Sequence, residues 1–214
     1  MTTYNIRTYP LGFIQTNCYI VSNTKKQCLI FDPGGESEKL ISALHRLNLK
    51  PLAILLTHAH FDHIGAVDDV RDAFNIPVYI HTVEKKWLLD PSKNGSAKYA
   101  EIPNHVCKEA DIILTNEENL EIDGFSMKLL HTPGHSPGSI TYYFEEDGLA
   151  IVGDTLFQNS IGRTDLLNGN QAELMKSIHT KLLTLPESTI IYPGHGVATT
   201  IADEMESNPF LNGF

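Results

Sequence analysis

Between Thr57 and Gly65 the chain reads Thr-His-Ala-His-Phe-Asp-His-Ile-Gly, with three histidines and an aspartate inside six positions. The preceding run, Leu52-Ala53-Ile54-Leu55-Leu56, is short and apolar, the pattern of a buried strand ending at Thr57. The cluster therefore falls on the loop between a strand's C-terminal end and the next helix. Open α/β sheets hold ligands and chemistry at that edge. Imidazole nitrogens and carboxylate oxygens suit zinc and comparable metals. Four such groups this close are costly unless something positive binds them.

The rest of the chain supplies material for a layered α/β fold. Short apolar or β-branched runs at Asn5–Tyr9, Asn17–Ser22, Gln27–Asp32 and Pro77–His81 read as strands. So do Asn119–Asp123, Phe125–His131, Ser139–Phe144, Leu149–Gly153 and Thr189–Tyr192. Helical spacing of apolar residues predicts helices over Glu36–Asn48, Asp62–Phe74, Thr82–Leu89 and Gln171–Leu185, with a short one at Thr200–Glu206. Residues 90–110 lack periodicity and hold Pro91, Gly95 and Pro103, so a loop is expected there, placed to gate access to a site. Strands in two groups, each followed by helices, are compatible with two sheets face to face and helices outside. At 214 residues and 42% apolar content, one domain over 1–214 is expected.

Three later segments repeat the pattern of strand, turn and metal-binding side chain. They are Leu129-Leu130-His131-Thr132-Pro133-Gly134-His135-Ser136-Pro137-Gly138-Ser139, then Ile151-Val152-Gly153-Asp154-Thr155-Leu156-Phe157, then Ile190-Ile191-Tyr192-Pro193-Gly194-His195-Gly196. Glycines beside the ligand positions let backbone approach closely.

H-x-H-x-D-H followed by a single His, a single Asp and a last His resembles the metallo-β-lactamase superfamily. T-P-G-H-S-P-G-S, G-D-T-L-F, G-R-T-D (Gly162 to Asp165), Y-P-G-H-G and the terminal Asn208-Pro209-Phe210-Leu211 resemble its glyoxalase II branch, in compact bacterial form. The resemblance covers essentially the whole chain. It implies a four-layer αββα sandwich. It also implies two divalent metal ions, zinc first, with iron or manganese as alternatives. His58, His60 and His135 match the ligands of one metal, Asp62, His63 and His195 those of the other, and Asp154 the bridging carboxylate.

The function this implies is a hydrolase acting through a metal-bridged hydroxide on thioesters of the hydroxyacylglutathione type, or of a related thiol carrier. Asp154 and Asp62 are the catalytic carboxylates of that scheme, Asp62 by orienting the hydroxide. Two cations about 3.5 Å apart lower the pKa of a shared water and polarise a carbonyl. The best-known class of true β-lactamases carries Cys near the Asp154 position, so Asp there counts against antibiotic hydrolysis. Full-length glyoxalase II proteins carry a C-terminal helical domain that contacts glutathione; the expectation here is that this chain lacks it. Persulfide dioxygenases also resemble this chain, G-R-T-D included, and use one iron held by residues matching His58, His135 and Asp154. A lactonase is a third reading.

Composition excludes other classes. A net charge of −10, with no basic cluster beyond Lys25-Lys26 and Lys85-Lys86, argues against nucleic-acid or anionic-membrane partners. No apolar run approaches the roughly 20 residues of a membrane span, and the N-terminus shows no leader pattern. Cys18, Cys28 and Cys107 fit neither a disulfide framework nor a zinc finger, which points to a reducing cytoplasm. A small-molecule thioester is the expected partner.

Outside the motifs, His45 and His179 read as surface residues on helices, and His81 and His105 as structural. His131, before the Pro-Gly turn, also reads as structural, with a hydrogen bond to groups behind the ligands as the alternative. Asp32 is either an Asx-turn residue or an aspartate that orients the histidine loop. Arg163 is either an ordinary surface arginine or a group beside Asp154.

Overall fold

The computed structural model describes residues 4–115, 117 and 119–211. The leader reading falls in part on Met1, Thr2 and Thr3, outside those residues. The chain divides into two compact units, Met1–Thr115 and Asn116–Phe214.

Among the described residues of the first unit, β1 (Asn5–Leu11), β2 (Thr16–Ser22), β3 (Gln27–Phe31), β4 (Lys50–Leu55), β5 (Val78–His81) and β6 (Ile112–Leu114) form one sheet in chain order. β1, β2 and β3 are antiparallel neighbours, while β3, β4, β5 and β6 run parallel. Parallel strands need crossovers, and α1 (Ser37–Arg46) and α3 (Val67–Phe74) supply two of them. Leu40 and Leu44 of α1 and Val67 and Val70 of α3 pack with Cys18, Ile20, Cys28, Ile30 and Ile54 in one core. Alternate residues Tyr19, Val21, Leu29, Phe31 and Ala53 are also buried. This strand-to-face alternation follows from the two-residue period of a strand.

The helix expected over 62–74 is broken. α2 (Phe61–Ile64) stops at Gly65, and α3 starts after Ala66. The Pro33 carbonyl takes the Ala66 N–H at 2.8 Å, so the loop after β3 occupies the place of a helical acceptor. The helix expected over 82–89 is absent, and successive turns stand there instead, with Glu84 N–H on the His81 carbonyl and Trp87 N–H on the Glu84 carbonyl. Burial of Glu84, Trp87 and Leu88 shapes this stretch more than its helical spacing does. Residues 90–110 hold α4 (Pro91–Asn94), capped by Asp90, and a 3-10 turn at Ser96–Lys98. Buried Asn94 stitches the segment, donating to the Trp87 and His105 carbonyls and accepting from Ser96.

In the second unit the described sheet runs β14 (Thr199–Thr200), β13 (Ile190–Pro193), β10 (Leu149–Gly153), β9 (Ile140–Phe144), β8 (Phe125–His131), β7 (Asn119–Ile122). β11 (Leu156–Phe157) and β12 (Ser160–Ile161) form a small separate hairpin. α5 (Gln171–Ser177), capped by Asn170, packs Leu174 with Val152 and Ile191, and its end relaxes into a π-turn over Ile178–Leu182. α6 (Ile201–Ser207) is capped by Thr200. β9 is antiparallel to both β8 and β10, and β13 is parallel to β10, so β8, β10 and β13 all end on one sheet edge.

Candidate functional site

In the first unit the candidate ligands follow β4, and the groups that hold them follow its neighbours. Asp32, next after β3, has φ 47°, which turns its carboxylate toward the β4 loop. Its Oδ1 accepts the Thr57 N–H at 2.8 Å, and its Oδ2 accepts the Thr57 hydroxyl at 2.6 Å. The same Oδ2 lies 2.9 Å from His63 Nδ1. Asp32 therefore orients the histidine loop, the second of the two readings left open. A donor atom each from Asp32, His58 and His63 lies within 4.8 Å of the others.

These bonds set the tautomers. A carboxylate only accepts, so His63 Nδ1 carries the proton and Nε2 presents its lone pair. The Thr57 hydroxyl gives its proton to Asp32 and is left to accept from His58 Nδ1 at 3.0 Å. His58 thus also presents Nε2. Its ring stands perpendicular to His60 at 4.8 Å and tilted against His63 at 4.0 Å between centroids. Asp62 Oδ2 accepts the Thr16 hydroxyl at 2.7 Å and lies 3.3 Å from His63 Nε2.

Close backbone packing holds this loop. A Cβ on Gly34 would sit 1.8 Å from the Asp62 carbonyl oxygen, and one on Gly65 would sit 2.4 Å from the Gly34 oxygen. Asp32-Pro33-Gly34-Gly35 is therefore a cradle for the histidine loop as well as a turn.

The second unit brings His135, Asp154 and His195 together at the ends of β8, β10 and β13. Asp154 Oδ2 lies 3.6 Å from Nε2 of His135 and 3.6 Å from Nε2 of His195. His135 Nδ1 donates to the Arg163 carbonyl at 2.8 Å, which again leaves Nε2 facing the carboxylate. The guanidinium of Arg163 turns away and forks onto Asp165 with two 2.7 Å bonds in solvent. The first reading of Arg163 describes its side chain, while its main chain orients a candidate ligand. Gly162 is required by contact: a Cβ there would lie 1.9 Å from the Asp154 carbonyl oxygen. His131 Nε2 donates to the Pro137 carbonyl at 2.9 Å and closes the turn that carries His135.

The remaining histidines divide. His45 and His179 are exposed, as expected. His81 is buried at the end of β5, and His105 stacks on Phe61, where burial lowers its pKa. Sequence reasoning missed Thr16 and Glu84. Thr16 touches Asp62 across 46 positions, and Glu84 was assigned to a helix it does not form. All three cysteines are free and buried.

The same chain matches a known family over most of its length. The family model for the Metallo-beta-lactamase superfamily matches residues 11–195. The chain is 53% identical to the probable metallo-hydrolase YqgX of Bacillus subtilis, over 97% of this chain and 98% of that protein. It is 40% identical to the hydroxyacylglutathione hydrolase GloC of Haemophilus influenzae, with the same coverage of each. A crystal structure of BLEG-1 B3 metallo-beta-lactamase superposes with TM-score 0.96 and 56% identity, over 98% of this chain and 100% of that one. The structure of TTHA1623 in a di-iron-bound form gives TM-score 0.84 and 38% identity, over 96% and 100%. The fold is the metallo-β-lactamase fold, mixed α/β with two six-stranded sheets among the described residues. The chain belongs to the metallo-beta-lactamase superfamily and is a metal-dependent hydrolase.

Proposed function

We propose that the protein hydrolyses small thioesters of the hydroxyacylglutathione type, or of a related thiol carrier, with two divalent cations. His58, His60 and His135 would hold one cation, Asp62, His63 and His195 the other, and Asp154 would serve both. One observation carries this reading: a single oxygen, Asp154 Oδ2, lies 3.6 Å from two imidazole nitrogens. Two donors bonded at about 2.1 Å to one tetrahedral zinc are about 3.4 Å apart. The carboxylate thus fits an ion on either side. Five imidazoles and two carboxylates suit zinc first, with iron or manganese also accommodated. The di-iron form of TTHA1623 supports a pair of metals, and the likeness to GloC supports the thioester.

When bound, such a pair lowers the pKa of a shared water and polarises a carbonyl. The chain's own residues prepare the site. Asp32, Thr57 and the Arg163 carbonyl fix imidazole tautomers, which is how groups behind a metal commonly raise ligand basicity. Thr16 fixes Asp62 Oδ2, the oxygen that lies beside His63 Nε2. A thiolate leaves without a strong general acid, so no protein nucleophile or proton donor is required. The burial of all three cysteines accords with a reducing cytoplasm.

The test pairs elemental analysis with a substrate panel. Two metals per chain and turnover of 2-hydroxyacyl thioesters, with weak dependence on the glutathione part, are expected. One iron per chain with oxygen-dependent persulfide consumption would instead make the protein a dioxygenase. The 56% identity to BLEG-1 favours a second reading, β-lactam hydrolysis, so a β-lactam belongs in the panel. Faster turnover of that compound than of any thioester would replace the first reading with the second.

A further inference from the structure

We propose that Glu84 is a positioning residue for the histidine loop; the proposal rests on the reading above that His58 and His60 hold a metal. Glu84 is fully buried on the turn after β5. Its Oε2 accepts the N–H of Ala59, the residue between the two histidines, at 2.6 Å. A buried carboxylate is rare and costly unless hydrogen bonds satisfy it. Here it meets a backbone amide that has already left the β4 ladder.

The loop is gripped from both flanking strands. From the end of β3, Asp32 takes the Thr57 amide; from beyond β5, Glu84 takes the Ala59 amide. The amides on either side of His58 are thereby fixed, and with them the directions in which His58 and His60 leave the backbone. The same turn backs the second histidine directly: Trp87, whose N–H bonds the Glu84 carbonyl, lies 5.8 Å from the His60 ring.

The test is chelator competition for metal on the full chain, with wild type, Glu84→Gln, Glu84→Ala and His60→Ala compared. Gln keeps an acceptor oxygen for Ala59 and Ala does not. Glu84→Ala should bind metal about 10- to 100-fold more weakly, the usual cost of removing a group behind a ligand. Glu84→Gln should stay close to wild type, and the metal-free Ala variant should still unfold cooperatively. If the Ala variant does not fold, Glu84→Asp replaces it, with the same weakening expected because its carboxylate is withdrawn by one methylene. Unchanged affinity in the Ala variant, or equal losses in Gln and Ala, overturns the proposal. His60→Ala losing metal while Glu84→Ala keeps it overturns the positioning role alone. His60→Ala keeping full metal overturns the metal reading beneath it.

Discussion

Thr16 and Asp154 show how much rests on single atoms. The Thr16 hydroxyl donates at 2.7 Å to Asp62 Oδ2, the oxygen that lies 3.3 Å from His63 Nε2. Thr16→Val keeps the shape and removes the donor. It should weaken metal binding or activity by about 10- to 100-fold, with Thr16→Ser restoring most of it; chelator titration and steady-state kinetics read both. A valine variant indistinguishable from wild type would make the bond incidental. Asp154→Asn keeps the side chain's outline but loses the charge that would face the two proposed cations. It should lose at least one metal and most activity, and elemental analysis showing both metals retained would end the bridging role. At this scale the motif residues were legible because H-x-H-x-D-H is local: a strand end followed by a turn delivers the side chains together. Asp32 was ambiguous, since its partners Thr57 and His63 lie 25 and 31 positions away. Glu84 was hidden because buried glutamates are rare and Trp87 and Leu88 imitate a helical face.

Among the elements, the turns carry the specification. Gly162 follows the β11–β12 hairpin, and its missing side chain lets the chain leaving that hairpin lie on the Asp154 carbonyl. Gly162→Ala must push backbone aside, at a cost of about 1–3 kcal/mol typical of overpacking. Urea unfolding should show that loss, together with reduced metal content; a variant as stable as wild type would mean the hairpin yields freely. The segment before β6 is clasped in another way. Arg71 of α3 bonds the Asp111 carboxylate and the Glu109 carbonyl, and Asp111 also accepts the Val78 N–H at 2.8 Å. Burial raises the Asp111 pKa, but the Val78 amide and the Arg71 guanidinium outweigh it, and the net shift is downward. A lowered folded pKa stabilises above the ordinary value of 3.8 and is lost as pH falls through the folded value. Asp111→Asn should therefore flatten the acid limb of stability below about pH 4 in metal-free protein. An acid limb as steep as wild type would remove Asp111 from that role. β6, β11, β12 and β14 escaped the sequence reading because two or three residues are too few to show a period.

The molecule as a whole is two compact units, and metal held as proposed would couple binding to folding. Ligand binding to the folded state adds RT ln(1 + [L]/Kd), about 4 kcal/mol when free metal exceeds Kd a thousandfold. For a chain of this size that is a shift in Tm on the order of 10 °C. Calorimetry before and after chelation should show it, and identical melting curves would mean that metal contributes nothing to folding.

The buried cysteines have a consequence for the reaction's product. Burial pushes the Cys28 and Cys107 thiols up to about 12 and the Cys18 thiol well above its ordinary 9.0. The thiolate is the form that exchanges with disulfides and reacts with electrophiles. The proposed thioester hydrolysis would release a free thiol at every turnover, and the disulfide that such a thiol forms on oxidation would meet no protein thiolate to exchange with. Iodoacetamide should label no cysteine in the native protein and all three after unfolding. An oxidised carrier pool would then leave no mixed disulfide on the enzyme, which would keep turning over while the thiols around it are consumed.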